Sequence, residues 1–418
     1  MAGAPVLFNS LGAAPPLPPL DPAWLDVPAL VDVAVVGAGV IGLSIGWRLA
    51  RRGLSVAVFD AGWAGGGTSS AATGMLAAGA EHEPGGDPLL GLARESLALW
   101  PGFRDELEAD AGLAIDYWTK GTIVVAVGRD ELDRLRARHS LQMRAGLDAR
   151  WLSGSDVRDL EPGLRPNVTG GIFCPGDHQV DPRLTLEALR AAFVARGGRL
   201  VEGAWVRGLD RTAGAVTGVT VAGRLCRAGT TVLAGGAAVA TGGLLPAGVH
   251  VPVRPLKGQA MALRARPAIG RGASGHNAPL PVDHVVWTAE VHIAPKSDGR
   301  MIVGATVEEA GFDGSITAGG LYALLDGVRR VLPGVEEMAI EAVWSGFRPT
   351  SDDDAPILGS TGVPGLAIAA GHHRNGYLLA PVTARALEDE ITTGAMAGVA
   401  SGFGLGRFAA APHSGEPA

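Results

Sequence analysis

The chain has 418 residues, a net charge of −7 and 18% charged residues, with no run of five like charges. This balance excludes the basic surface of a typical nucleic-acid-binding protein, and the length is sufficient for two domains. Cys174 and Cys226 are the two cysteines. They are too few and too far apart for a disulfide framework or a metal knuckle, so we expect a reducing, cytoplasmic compartment.

Residues 1–30 are rich in proline and begin without the basic segment of a secretory signal. We therefore predict an extended N-terminal arm. Residues 401–418 are predicted to form a tail of mostly small residues.

Residues 31–50, VDVAVVGAGVIGLSIGWRLA, are apolar over the length of a membrane span, and Gly42 and Gly46 match a small-xxx-small helix contact. The competing interpretation is a buried strand, a glycine-rich turn and a helix, followed by a second buried strand at 54–60. We favour this second interpretation because the complete unit ends in an acid, as a nucleotide site requires. We expect a soluble protein.

Each residue of that turn has a mechanical role. Gly37 allows the tight turn, Gly39 lets a pyrophosphate approach the backbone, and Gly42 lets the helix pack closely on the strand. The phosphates are expected at the positive N-terminal end of the helix. Asp60 is placed to accept hydrogen bonds from ribose hydroxyls. The turn alone does not distinguish a nicotinamide cofactor from a flavin.

The following segment, AGWAGGGTSSAATGML (61–76), favours a flavin. Its glycines and hydroxyl residues can donate hydrogen bonds along an extended diphosphate and towards an isoalloxazine ring. A flexible linker is the alternative interpretation, but Met75 and Leu76 end the segment with apolar side chains to bury.

The remainder of the chain alternates helices and strands. We predict helices at 88–111, 131–145 and 319–332, a short capped helix within 151–164 that ends at Glu161-Pro162, and a helix beginning at Asp181-Pro182. Buried strands are predicted at 121–127, 230–236 and in LAIAAGHHRNG. The strand at 230–236 runs into glycines and should rejoin the nucleotide-binding sheet.

The predicted fold class is α/β, with two domains. A Rossmann-like cofactor domain, discontinuous in sequence, is expected at 31–86, 172–245 and 341–400. A substrate-binding cap domain built on an antiparallel sheet is expected at 87–171 and 246–340. Ligands should bind between the two domains, at the carboxyl ends of the strands.

The segment GHHRNGYLLAP (371–381) places two histidines, an arginine and an Asn-Gly pair directly before a helix predicted from Gly376. The N-terminal amides of that helix should point at the edge of a cofactor ring that becomes negative on reduction. The adjacent His372 and His373 suggest a metal, but no third ligand lies near them in the sequence. We therefore predict no metal site.

Seven segments, in this order, carry a resemblance: GAGVIGLSIGWRLA, GGGTSSAATGML, DHQVDP, VRPLKGQ, IVGATVEEAGFD, WSGFRPTSDDDAPILG and GHHRNGYLLAPVTA. Over about residues 32–400 the chain resembles the D-amino-acid oxidase superfamily and, within it, the glycine oxidases of thiamine biosynthesis. The resemblance implies FAD. It also implies non-covalent binding, because the related sarcosine oxidases attach FAD through a cysteine that RPTSDDDAP lacks.

The resemblance also implies site residues, by position in the matching segments. The FAD contacts fall on Val40, Ile41, Asp60, Ala61, Thr68, Ser69, Thr73, Gly74, Met75, Val206, His372, His373, Arg374, Asn375, Gly376, Tyr377 and Leu378. The substrate-carboxylate partner falls on Arg348, with Arg374 as a second arginine of the substrate site. Val307 falls on the pocket wall.

The residues around Arg348 give an independent argument. Arg348 follows AVWSGF and precedes Pro349, so we place it at a strand end where the chain turns. A planar guanidinium matches the carboxylate of an α-amino acid with two charge-assisted hydrogen bonds. A surface salt bridge with Asp352–Asp354 explains the arginine equally well when it is considered alone.

One position departs from the family pattern. His292 lies in VHIAPKSDGR, where the family often has a tyrosine whose hydroxyl reaches the substrate carboxylate. A histidine can still donate a hydrogen bond and can be charged near neutral pH. The alternatives are an alignment error of one residue and a buried histidine that bonds a carbonyl.

The chemistry implied by the resemblance is hydride transfer from the substrate Cα to FAD. The resulting imine hydrolyses to a keto acid and ammonia, and oxygen is reduced to hydrogen peroxide. Glycine, sarcosine and small D-amino acids are the expected substrates, and no side chain is assigned as a general base. The alternatives are an FAD-dependent amino-acid dehydrogenase with another electron acceptor, a non-catalytic FAD-binding regulatory module and an NAD-dependent dehydrogenase. A homo-oligomer is compatible with the sequence, and we predict no nucleic-acid partner.

Overall fold

The computed structural model describes residues 26–82, 87–265 and 280–408. Most of the predicted N-terminal arm and the end of the predicted tail lie outside these ranges. The described strands, in chain order, are β1 (Leu30–Val36), β2 (Val56–Phe59), β3 (Met75–Leu76), β4 (Thr122–Val127), β5 (Arg150–Ser153), β6 (Val168–Cys174), β7 (His178–Gln179), β8 (Arg199–Val201), β9 (Val206–Thr212), β10 (Ala215–Val221), β11 (Arg224–Leu233), β12 (Val253–Arg264), β13 (Val285–Trp287), β14 (His292–Pro295), β15 (Arg300–Gly304), β16 (Ala339–Ser351), β17 (Ile357–Ser360) and β18 (Leu366–Ala370). The α-helices are α1 (Val40–Arg51), α2 (Thr68–Ala71), α3 (Asp87–Ala111), α4 (Arg129–Arg144), α5 (Gly154–Leu160), α6 (Pro182–Ala195), α7 (Ala318–Val331) and α8 (Gly376–Thr393).

The first sheet has the strand order β17-β18-β11-β1-β2-β8, and β10 and β9 extend it from β11. The pairs β1–β2, β1–β11, β11–β18 and β2–β8 are parallel. Parallel strands need covered faces, which agrees with the apolar composition of β1 and β2. The interpretation of residues 31–50 as strand, turn and helix is confirmed, and residues 230–236 rejoin this sheet through β11 as predicted.

Helices α1, α3, α6 and α8 pack against one another and share one core with the first sheet. Gly46 of α1 permits the close packing, because a Cβ there would lie 2.8 Å from Val58 Cγ2 and 3.2 Å from Phe193 Cε2. The buried Trp47 and Trp100 fill the space between α1 and α3 together with Phe103.

The second sheet has the strand order β16-β12-β15-β14-β13-β4-β6-β5. Its pairs are antiparallel except β13–β4. Helix α7 packs on it, with Leu324, Val328 and Val331 buried among the apolar side chains of β12 to β15. The expected combination of a Rossmann-like sheet with a mainly antiparallel second sheet is therefore confirmed.

The boundaries between the two domains stay a prediction, but the packing bears on three elements. Helix α3 was predicted in the cap domain. Its apolar face instead packs on α6 and α8, which share a core with the first sheet. Strands β6 and β16, which the predicted boundaries divide, both lie in the second sheet.

None of the helices within residues 26–82, 87–265 and 280–408 is long and apolar enough to cross a membrane. The same residues contain no group of three or more His, Cys, Asp or Glu side chains that could hold a metal ion.

Candidate active site

A cavity of about 870 Å³ is lined by residues of both sheets. Its walls come from the turn after β1, the loop after β2, the residues leading into β9, the strands of the second sheet and the segment between β18 and α8. The volume lies within the range of roughly 300–1,000 Å³ that is usual for ligand and cofactor sites. We therefore take this cavity as the candidate site.

Most of the predicted site residues line this cavity. They are Gly37, Gly39, Val40, Ile41, Asp60, Ala61, Thr68, Ser69, Thr73, Gly74, Met75, Val206, His292, Val307, Arg348, His372, His373, Arg374, Gly376 and Tyr377. Gly42, Asn375 and Leu378 lie behind the wall. The carbonyl of Leu378 accepts hydrogen bonds from Ser96 Oγ at 2.6 Å and Trp100 Nε1 at 3.1 Å.

The glycine-rich turn after β1 has no room for larger residues. Gly37 has a φ of +110°, and a Cβ on it would lie 2.4 Å from the carbonyl oxygen of Ala234. A Cβ on Gly42 would lie 1.9 Å from the carbonyl oxygen of Gly37. Both contacts are far shorter than van der Waals distance, so the backbone can fold back on itself only with glycine at these positions.

Asp60, directly after β2, is fixed beside this turn. Its Oδ2 accepts a hydrogen bond from the Ala38 amide at 2.7 Å, and its Oδ1 accepts one from the Gly62 amide at 2.8 Å. Burial raises the pKa of the Asp60 carboxyl, and the two amide hydrogen bonds oppose that shift. Each carboxylate oxygen keeps a second lone pair, which can accept a hydroxyl from a ligand.

Two helix N-termini meet at the cavity. A Cβ on Gly376, the first residue of α8, would lie 3.8 Å from Cγ1 of Val40, the first residue of α1. Neither helix has a capping hydrogen bond from its N-cap side chain, Gly39 in α1 and Asn375 in α8. The positive N-terminal ends of α1 and α8 therefore lie next to each other in the cavity wall, where they can stabilise an anionic ligand.

The two histidines before α8 are held by different partners. His372 is buried, its Nε2 lies 3.0 Å from Thr383 Oγ1, and burial lowers its pKa to about 3. His373 has a φ of +48°, and its Nδ1 lies 3.1 Å from Asp354 Oδ1. Burial lowers the pKa of His373 to about 4, so both rings are neutral at pH 7.

Tyr377 fastens the start of α8 to the loop after β2. Its hydroxyl lies 2.9 Å from the Ser69 carbonyl and 3.0 Å from the Pro182 carbonyl. In the same loop, Ser69 Oγ accepts a hydrogen bond from the Val40 amide at 2.9 Å. The loop, α1 and α8 thus form one connected wall.

Arg348 has a guanidinium that faces the cavity without an acidic partner. Its Nη1 donates to the carbonyls of Lys257 at 3.3 Å and Thr306 at 3.1 Å. Among the described residues no carboxylate forms a salt bridge with it, and burial and the neighbouring Arg374 lower its pKa. A buried cation without a counter-ion is costly, so the site is suited to an anionic ligand.

The predicted position of Arg348 at a strand end is wrong. Arg348 and Pro349 both lie inside β16, which continues to Ser351. β16 is the outermost strand of the second sheet, and Pro349 is paired with Pro255 of β12. An edge strand tolerates proline because a missing N–H there breaks no ladder on the open side.

The salt bridge proposed as an alternative for Arg348 is not formed. Asp353 pairs instead with Arg407 at 2.8 Å, and Asp354 pairs with His373. Asp354 therefore holds the segment after β18, and Asp353 holds the segment around Arg407. Neither carboxylate pairs with Arg348, which lines the cavity.

Arg374 differs from Arg348 because it is already paired. Its Nε lies 2.8 Å from Oε2 of Glu81, a residue whose side chain is only 9% exposed. The positive charge of Arg374 lowers the pKa of Arg348, and the charges of both arginines lower the pKa of His292. Arg348, in contrast, has no carboxylate within salt-bridge distance among the described residues.

His292 begins β14 and is paired with Gly304 of β15. A Cβ on Gly304 would lie 2.8 Å from His292 Nε2, so the ring is packed tightly against that strand. Nε2 is buried and has no hydrogen-bond partner among the described residues. The carbonyl-bonded alternative for this nitrogen is therefore not observed.

The sequence left open a charged His292 near neutral pH, and the surroundings of the ring disfavour that form. Burial first, and then the positive charges of Arg348, Arg374 and Lys296, lower its pKa to about 3. A neutral imidazole beside two guanidinium groups can donate or accept a hydrogen bond, but it adds no charge to the site.

Sequence reasoning missed several cavity residues, including Glu81, Trp287 and Phe347. Glu81 is the most consequential, since it pairs with Arg374 from almost the other end of the chain. The one signal was an acid directly after the long run of small residues that ends at Ala80.

These features fit FAD. The glycine turn admits a diphosphate, the N-termini of α1 and α8 supply amide donors, and Asp60 supplies ribose acceptors. The lining also reaches Arg348 and His292 in the second sheet.

Comparisons with known proteins agree with this site. A family model described as FAD dependent oxidoreductase (DAO) matches residues 32–390. A glycine oxidase of Geobacillus kaustophilus (strain HTA426) is 33% identical over 92% of this chain and 98% of its own length. The bifunctional protein ThiO/ThiG of Nostoc sp. (strain PCC 7120) is 35% identical over 86% of this chain, which spans 52% of that protein. The crystal structure of glycine oxidase from Geobacillus kaustophilus has a TM-score of 0.82 and 34% identity, and covers 90% of this chain and 98% of that one.

Proposed function

Because the chain belongs to the DAO family of FAD-dependent oxidoreductases, we propose that it is an amine oxidoreductase that oxidises glycine. The observation that carries the proposal is Arg348, a half-buried guanidinium that faces the cavity and has no carboxylate within salt-bridge distance among the described residues. It is placed to bind the carboxylate of an amino acid.

FAD would be held without a covalent bond by the walls already described. The turn from Gly37 to Gly42 and the start of α1 would hold the diphosphate, and Asp60 the ribose. Thr68 to Met75 and the start of α8 would surround the flavin ring. Bound FAD supplies the acceptor for the hydride that leaves the substrate Cα.

The protein's own contribution is orientation and charge. Arg348 would hold the carboxylate through Nε and Nη2, because Nη1 is occupied by the Lys257 and Thr306 carbonyls. His292 would offer the substrate a neutral hydrogen-bonding group, and Val307 would form part of the wall. No side chain of the cavity is required as a general base when the amine binds in its neutral form.

The expected products from glycine are glyoxylate and ammonia, formed when the imine hydrolyses in water, together with hydrogen peroxide if oxygen is the acceptor. Since the ThiO/ThiG relative joins two named activities in one chain, we place this reaction in the thiazole branch of thiamine biosynthesis. Sarcosine and small D-amino acids are the next substrates to test.

The visible spectrum of the purified protein tests the proposal. Anaerobic glycine should bleach the flavin absorption bands, and air should restore them with formation of peroxide. Bleaching that air does not reverse would indicate a dehydrogenase with another acceptor. The proposed activity would be refuted by a yellow protein whose flavin absorption does not change when glycine, sarcosine or small D-amino acids are added.

A further inference from the structure

Two large apolar side chains at one end of the cavity are unusually open. Trp63 is 55% exposed and Trp205 is 51% exposed, and both line the cavity. Tryptophan generally buries most of its surface, so two half-exposed indoles that line one cavity form a surface suited to a planar ligand.

The two tryptophans lie on neighbouring segments. The Ala204 amide donates to the Asp60 carbonyl at 2.7 Å, and the Gly203 amide donates to the Gly62 carbonyl at 2.9 Å. The segments 60–63 and 203–205 therefore run side by side, and they bring both indoles to the same end of the cavity.

The end of the cavity that carries Trp63 and Trp205 lies beyond Asp60. The acid after the second strand of a dinucleotide-binding unit marks the ribose, so the base attached to this ribose lies past it. Trp63 follows Asp60 by three residues, whereas Arg348 and His292 lie in the second sheet. The tryptophans are thus at the nucleotide end of the cavity.

The environment of Trp205 suits a stacked base. The Arg207 guanidinium lies 4.5 Å from the centre of the Trp205 ring. A cation on an indole leaves the rest of the ring available to a planar partner, and guanidinium groups themselves also stack on bases.

We propose that Trp63 and Trp205 form an aromatic clamp for the adenine ring of FAD. This inference rests on the proposed cofactor site but assigns a subsite by residues particular to this chain. Replacing an aromatic residue that stacks on a base by alanine weakens binding by roughly five- to 150-fold, so each tryptophan should account for a tenfold change or more in FAD affinity.

The test uses the purified holoprotein with W63A, W205A, W63F and W205F. Dilution releases FAD, whose fluorescence rises when it is free, and the Kd follows from the concentration dependence. We expect the Kd to rise about tenfold or more in each alanine variant and less than threefold in each phenylalanine variant. W151A is the matched control, since Trp151 lies in β5 outside the cavity lining.

A competition experiment separates the adenine end from the flavin end. Excess ADP should displace FAD from the unchanged protein and from W151A. After correction for the FAD Kd of each variant, the inhibition constant of ADP should rise at least tenfold in W63A and W205A, while that of FMN stays the same. Alanine variants with the Kd and the ADP competition of W151A would overturn the clamp.

The two proposals fail differently. If FAD does not bind at all, the proposed function is wrong. If FAD binds and glycine is oxidised but the tryptophan variants behave like W151A, the clamp alone is wrong.

Discussion

Replacement of Arg348 by alanine should abolish most of the catalytic efficiency while leaving FAD bound. Arginine has five N–H donors, and the two on Nη1 are used by the carbonyls of Lys257 and Thr306. The Nε and Nη2 groups remain for a carboxylate. Removing one partner of a buried, hydrogen-bonded charge pair costs about 2–5 kcal/mol, which corresponds to a fall in kcat/KM of roughly thirty- to several-thousand-fold.

The assay is steady-state peroxide formation with glycine, with FAD content read from the visible spectrum. R348K keeps the charge but loses the planar fork, so it should fall between the alanine variant and the unchanged enzyme. R254A is the matched control. Arg254 lies on the neighbouring strand β12, is half exposed and pairs with Glu309.

An R348A protein that binds FAD and keeps the kcat/KM of R254A would refute the assignment of the carboxylate site. A protein that loses its FAD would be tested by adding free FAD in excess before each assay. If activity then returned to the level of R254A, the assignment would again be wrong.

Two further variants test the cavity. G42A should lose FAD and unfold at lower urea concentration than G102A, because its Cβ would collide with the Gly37 carbonyl, whereas a Cβ on Gly102 of α3 meets nothing within 4 Å. Equal FAD content and urea midpoints in the two proteins would contradict this reasoning. H292N should make the stability of the protein less dependent on pH in acid. The folded-state pKa of His292 is about 3, below the ordinary 6.5, so protonation favours the unfolded chain. His292 therefore destabilises the protein increasingly as the pH falls from about 6.5 towards 3. Urea midpoints across that pH range measure the effect, and identical slopes for H292N and the unchanged protein would show that His292 is not buried in its neutral form.

The nucleotide-binding unit could be predicted from the sequence because its signals are local. The turn from Gly37 to Gly42, the helix α1 and the acid at Asp60 lie within 30 residues of one another, and each has a direct steric or electrostatic reason. The start of α8 at Gly376 was predictable on the same grounds.

Features that depend on distant segments could not be predicted. Pro349 looked like the end of a strand, and only the edge position of β16 makes proline harmless there. The low pKa of His292 is due first to burial and then to Arg348 and Arg374 from distant segments, together with Lys296 four residues later. The pairing of Arg374 with Glu81 joins residues that are almost 300 positions apart. None of these has a pattern in the sequence around the residue concerned.

The place of β18 in the first sheet has a consequence for synthesis of the protein. β18 pairs with β11, and β11 in turn pairs with β1. On the ribosome, β1 and β11 are made long before residues 366–370, so the apolar edge of β11 from Thr231 to Leu233 waits unpaired while more than a hundred residues follow. The nascent chain therefore carries an unpaired strand edge that can aggregate until β18 emerges, and chaperone binding to this edge should raise the yield of folded protein.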